Sequence, residues 1–99
     1  SNAYKYTPPG NGSIYVSCTR EADHVILKVC DTGRGIAPEN LPTIFHPFLQ
    51  VDRDEATGGL GLGLAITRGI IELAGGAITA ESAGINQGST FTISLPVIE

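Results

Sequence analysis

Glycine stands at positions 58, 59, 61 and 63, and the residues that follow, Leu64, Ala65 and Ile66, lead straight into an apolar spacing of three and four. Alternate glycines let successive backbone N–H groups turn toward one point. A helix that starts there adds unpaired donors and the positive end of its dipole. Segment 58–66 therefore reads as an anion cradle feeding a helix or, taken by itself, as a flexible link ahead of one. No Gly-Lys-Ser/Thr follows, so it is not a Walker loop, and the loop-like residues before it exclude a dinucleotide-binding fingerprint.

The rest of the chain is punctuated strand. Residues 13–20 alternate, with Ile14, Val16 and Cys18 on one face and Tyr15, Ser17 and Thr19 on the other, which is the period of a half-buried strand. After a turn at 21–23, the β-branched run 24–30 predicts the second arm of an antiparallel hairpin, with Val25, Leu27, Val29 and Asp31 on one side. A glycine-broken loop follows at 31–36, then a short helix over 37–45 and an aperiodic segment 49–59 that could serve as a lid. From Leu62 the spacing of Ala65, Ile66, Ile70 and Leu73 predicts one helix face ending at Gly75-Gly76. A closing hairpin comes last, a strand at 77–82 and another at 89–95 with Phe91, Ile93 and Leu95 on one side. Residues 4–12, with Pro8, Pro9, Gly10 and Gly12, read as a turn that closes an earlier element.

Composition narrows the function classes. Ninety-nine residues suffice for one core, and 41% hydrophobic with 16% charged residues describes a globular chain. The net charge of −4 with six scattered Lys and Arg argues against a nucleic-acid partner. No apolar run approaches the roughly 20 residues that cross a bilayer. Cys18 and Cys30 lack the spacing of a zinc site or disulfide framework and are expected as buried, reduced thiols of a cytoplasmic domain. Residues 1–3, Ser-Asn-Ala, have the look of a protease-cleavage scar.

Asp31 is the second chemical feature. It shares a strand face with Val29 and Leu27, which turns a carboxylate toward the apolar side, where it needs a donor. The exocyclic amine of adenine is such a donor, and Gly33 and Gly35 would let the backbone approach the ring; guanine would present a carbonyl instead. The alternative is an Asx turn in which Asp31 simply caps the loop ahead of Gly33.

Taken in order, Asp31-x-Gly33-x-Gly35-Ile36, Ile44-Phe45-x-Pro47-Phe48 and Gly59-x-Gly61-x-Gly63-Leu64-x-Ile66 resemble the two glycine boxes and the phenylalanine box of sensor histidine kinase catalytic domains. The resemblance implies a Bergerat-type α/β sandwich, a mixed, mostly antiparallel sheet with helices on one face, and ATP as ligand. It matches Asp31 to the adenine reader with Gly33, Gly35 and Ile36 beside it. Phe45 and Phe48 match the box that holds the lid, while Gly59, Gly61, Gly63 and Leu64 match the phosphate loop. Gly88-Ser89-x-Phe91 also resembles the family, whose small hydroxyl there lies near the adenine carboxylate; a satisfied core serine is the other reading of Ser89. Asn2-Ala3-x-Lys5-Tyr6 looks like the end of the family's asparagine box, in which Asn2 would hold Mg²⁺, Lys5 would reach phosphate and Tyr6 would lie near adenine. Asn2 falls in the apparent scar.

The same resemblance implies that residues 4–99 lack the family's first strand and first helix, with its glutamate and earlier asparagine. It also implies a separate, histidine-bearing dimerisation domain as acceptor and a response regulator downstream. His24 and His46 do not occupy an acceptor context, so the chain alone is expected not to autophosphorylate. A sheet face without its helix is expected to find a partner, as in a homodimer. An anti-sigma-type serine kinase and a non-catalytic nucleotide sensor of the same fold are the alternatives; the Phe45-x-Pro47-Phe48 block favours the histidine kinase.

Overall fold

The computed structural model describes residues 2–6, 12–46 and 63–98. Five antiparallel strands form one sheet: β1 (Asn2–Tyr6), β2 (Ile14–Glu21), β3 (His24–Asp31), β4 (Ala77–Glu81) and β5 (Ser89–Pro96), in the order β1-β2-β3-β5-β4. A 3-10 helix spans Pro38–Thr43, and one α-helix, α1, spans Gly63–Leu73. The β5 strand returns between β3 and β4, so the C-terminal hairpin completes the middle of the sheet.

Register fixes which side chains share a face. Ile14 opposes Asp31, Val16 opposes Val29 and Cys18 opposes Leu27; Asp31 in turn opposes Ser89, and Val29 opposes Phe91. Because cross-strand partners point the same way, these residues form one apolar face carrying a carboxylate and a hydroxyl at its end. The other face bears Tyr15, Ser17, Lys28, Cys30, Thr90 and Thr92. Cys18 and Cys30 thus lie on opposite faces, both free and half-buried rather than fully buried as expected. In the β2–β3 hairpin Glu21 pairs with His24 and Ala22 takes φ 55°.

The described helices pack against part of the apolar face. Phe45, just beyond the 3-10 helix, meets Phe91 of β5 edge to face at 6.3 Å and 87°, and the Arg68 guanidinium of α1 stands 5.6 Å over the Phe45 ring. Among the described residues the buried apolar core consists of Ile36, Ile44 and Ile71. Over β2 and β3, Val16, Cys18, Leu27 and Val29 are half-buried.

Two local expectations differ from the structure. Residues 2–6 form an edge strand along β2, with Tyr6 opposite Ile14, instead of part of a turn. The apolar edge of the sheet pairs with whatever extended backbone is beside it, and Tyr4-Lys5-Tyr6 has a residue mix suited to a strand. On α1 the predicted face is rotated: Ile71 is buried and Leu64 and Ala65 half-buried, while Ile66, Ile70 and Leu73 are exposed at 56%, 62% and 90%. The helix is apolar around most of its circumference, so spacing alone does not select the packed side.

Candidate functional site

The last residue of β3 is held from two directions. Ser89 Oγ donates to Asp31 Oδ2 at 2.7 Å, and the Gly33 N–H donates to Asp31 Oδ1 at 2.8 Å. Ser89 is buried and Asp31 half-buried. Asp31 therefore caps an Asx turn while it points inward, and Ser89 is satisfied by the carboxylate it faces. Each carboxylate oxygen can accept a further bond, so the group is oriented without being saturated.

Glycine is required where the two loops beside Asp31 touch. Gly35, at φ 69°, packs so closely on the carbonyl of Gly84 that a Cβ would overlap it, and Gly88, at φ 72°, lies equally close to the carbonyl of Asp31. Left-handed backbone and close approach coincide at both. The contact is sealed by Gly88 N–H to Gly33 O at 3.1 Å and Asn86 N–H to Arg34 O at 2.6 Å. On the other side Thr32 pairs with Ser13, its N–H donating to Ser13 O at 3.0 Å and its Oγ1 accepting from Ser13 N–H at 2.8 Å. Thr32, Gly33 and Arg34 stay exposed on top of this framework.

Sequence reasoning missed Ser82. Its hydroxyl accepts from Ile36 N–H at 2.9 Å and from Gly84 N–H at 3.2 Å, and donates to Gly88 O at 2.7 Å. A serine in a turn carries no periodic signal, so only the spacing Ser82-x-Gly84 could have drawn attention to it.

The other predicted residues fall in three groups. Ile36 is buried beside the loop it ends, Phe45 bridges α1 and β5, and Gly63 and Leu64 open α1, where Thr67 Oγ1 donates to Gly63 O at 2.9 Å. Phe48, Gly59, Gly61 and the lid segment 49–59 lie outside the described residues. Tyr6 occupies the register row of Asp31, with Ile14 between them, about 10 Å away at the usual strand spacing.

Lys5 and Asn2 are not brought to Asp31. Alternation along β1 puts Lys5 in the row of Tyr15, Cys30 and Thr90, and its Nζ stands 5.6 Å from the centre of the Tyr15 ring on the other face. A cavity of about 410 Å³ opens there, lined by Lys5, Tyr15, Lys28 and Cys30 among others. Asn2 pairs with Cys18 on the β1 edge, while α1, into which the glycine loop runs, packs against β4 at the opposite edge.

An antiparallel sheet packed on helices, with an oriented aspartate at a glycine-walled strand end, makes a two-layer α/β sandwich. The chain belongs to the family of histidine kinase-, DNA gyrase B- and HSP90-like ATPases, whose sequence model matches residues 1–99. Within that family it is similar to sensor histidine kinases. It is 44% identical over 98 residues to the circadian input-output histidine kinase CikA of Synechococcus elongatus, covering 97% of this chain and 13% of that protein. To the sensor protein SrrB of Staphylococcus aureus it is 44% identical over 97 residues, 96% of this chain and 16% of that one. Among solved structures, the mycobacterial sensor histidine kinase MprB matches 91% of this chain and 61% of its own, with TM-score 0.76 and 31% identity. The catalytic domain of histidine kinase ThkA matches 87% and 53%, with TM-score 0.70 and 34% identity. The chain thus spans a small fraction of the curated relatives and somewhat over half of the solved chains.

Proposed function

We propose that this chain binds ATP through the adenine ring, with the exocyclic amine donating to the Asp31 carboxylate and the ring lying against Gly33 and Gly35. The observation that carries the reading is the doubly held carboxylate: Ser89 and Gly33 N–H fix its two oxygens and leave each able to accept again. A preset acceptor favours adenine, whose amine donates, over guanine, whose carbonyl would face a negative charge. The phosphates then run toward the glycine segment that leads into α1, where backbone donors and the helix dipole favour anions.

In the parent protein the domain presents the ATP γ-phosphate to a histidine on a separate dimerisation domain, and a response regulator receives the phosphoryl group next. The kinship with sensor histidine kinases supports this assignment. Positioning and charge neutralisation supply most of such catalysis. Asn2 would be the residue to hold Mg²⁺, which would supply positive charge beside the phosphates. The chain alone does not autophosphorylate: His24 begins strand β3 and His46 is exposed beyond the 3-10 helix, neither on a helix facing the site. The domain works in the cytoplasm, and among the described residues no helix is long and apolar enough to cross a membrane.

Calorimetry with ATP, ADP and GTP, each with and without Mg²⁺, tests the proposal. ATP and ADP are expected to bind and GTP to bind at least tenfold more weakly. Tighter binding of GTP would remove Asp31 from the role given to it.

A further inference from the structure

We propose that Ser82, at the start of the β4–β5 turn, is a positioning residue for the base-binding loop, acting on adenine without touching it. The inference rests on the base-binding reading above. A serine hydroxyl has one proton to donate and two lone pairs, and Ser82 uses all three on backbone groups of two different loops: Ile36 N–H, Gly84 N–H and Gly88 O. Ile36 and Ser82 are 46 residues apart in sequence, so this single hydroxyl is a tertiary fastening.

Its position explains why it matters for the ligand. Loop 31–36 is fixed at its first residue by Ser89, which bonds Asp31, and at its last by Ser82, which bonds Ile36. Between those points Gly33 O and Arg34 O accept from Gly88 and Asn86, and Gly35 seats on the Gly84 carbonyl. Gly84 and Gly88 are themselves joined through Ser82 Oγ, so the hydroxyl sets the curvature of the surface on which Gly35 rests. Removing it leaves two N–H groups and a carbonyl without that partner and frees the Ile36 end of the loop, next to Gly35, against which the ring is proposed to lie. The cost falls on loop placement first, because no strand ladder bond involves the Ser82 side chain.

The test compares Ser82→Ala, Ser82→Thr and the unaltered 99-residue chain by amide hydrogen exchange and by titration with adenosine and with ATP. In Ser82→Ala the Ile36 and Gly84 amides are expected to exchange at least tenfold faster while the Leu27 amide in β3 keeps its rate. Adenosine and ATP both weaken by about the same factor of ten, since the defect lies at the base, and Ser82→Thr restores binding. Ser82→Cys keeps the volume with a weaker donor and gives the same pattern in smaller measure, which serves if the alanine variant does not fold. Equal acceleration at Leu27 and Ile36 would reduce Ser82 to a general stabiliser and overturn the inference. So would unchanged adenosine affinity in Ser82→Ala, or a loss seen with ATP and not with adenosine. If the unaltered chain binds neither nucleotide, the base-binding reading itself fails and Ser82 loses its functional role with it.

Discussion

Ser89 and Asp31 face each other across β5 and β3, and the serine hydroxyl meets the inner carboxylate oxygen at 2.7 Å although 58 residues separate them. A hydrogen bond to an ionised group is stronger than one between neutral partners, and here it also selects the rotamer in which the other oxygen meets Gly33 N–H.

Replacing Ser89 with alanine should release that rotamer. Stability is expected to fall by about 1.5–3 kcal/mol, the usual worth of a bond to a charged group, and adenosine affinity by about tenfold. Urea denaturation and calorimetry measure the two effects. Undiminished adenosine binding would mean that Gly33 alone suffices to orient Asp31.

Two glycine substitutions should move stability in opposite directions. Gly88→Ala forces a left-handed alanine whose Cβ overlaps the Asp31 carbonyl, a loss of about 2–4 kcal/mol from strain and overpacking. Gly69→Ala, in α1 with open space around the new Cβ, should gain about 0.5–1 kcal/mol through helix propensity. For a domain of this size each kcal/mol moves Tm by roughly 4–8 °C, well within the reach of scanning calorimetry.

Self-association is expected through apolar surface that the described residues leave uncovered, either the half-buried β2–β3 face around Val16 and Leu27 or the Ile66, Ile70 and Leu73 stripe of α1. Sedimentation velocity should show a concentration-dependent dimer. Val16→Lys should abolish it if the sheet face is the interface, and Ile70→Lys if the helix is. A monomer across the accessible concentration range would refute the homodimer.

Acid should weaken one small contribution at the β2–β3 turn. Asp23 sits 2.9 Å from His24 Nδ1, and the hydrogen bond to that ring, a backbone hydrogen bond and the charge of the imidazolium hold its pKa below the usual 3.8. A carboxyl with a depressed folded pKa stabilises fully above its unfolded value and loses that contribution as pH falls through the folded one. Asp23→Asn should therefore be less stable than the parent near pH 5 and converge with it toward about pH 2. A gap that widens with acid would contradict the sign.

The strand faces were legible because alternation has a period of two and admits one inward set: Val25, Leu27, Val29 and Asp31 stand together, as do Ser89 and Phe91. Asp31 was legible for the same reason, as a charge in an apolar row. The packed side of α1 was not, since Leu64, Ala65, Ile66, Ile70, Ile71 and Leu73 leave few polar positions to mark the outside. The strand at residues 2–6 escaped because short edge strands form by pairing with a neighbour that no local pattern reveals. Ser82 and the Gly35–Gly84 contact depend on two loops that meet only in three dimensions.

That meeting has a consequence for the order in which the molecule comes into being. Asp31 is made before Ser82, Gly88 and Ser89, which shape its surroundings from further along the chain, and β5 must pair with β3 before they arrive. Until then β3 is an unfinished edge and the aspartate is an ordinary solvated carboxylate. A nascent chain that stops short of β5 therefore carries Asp31 without the hydroxyl and the glycine walls that orient it.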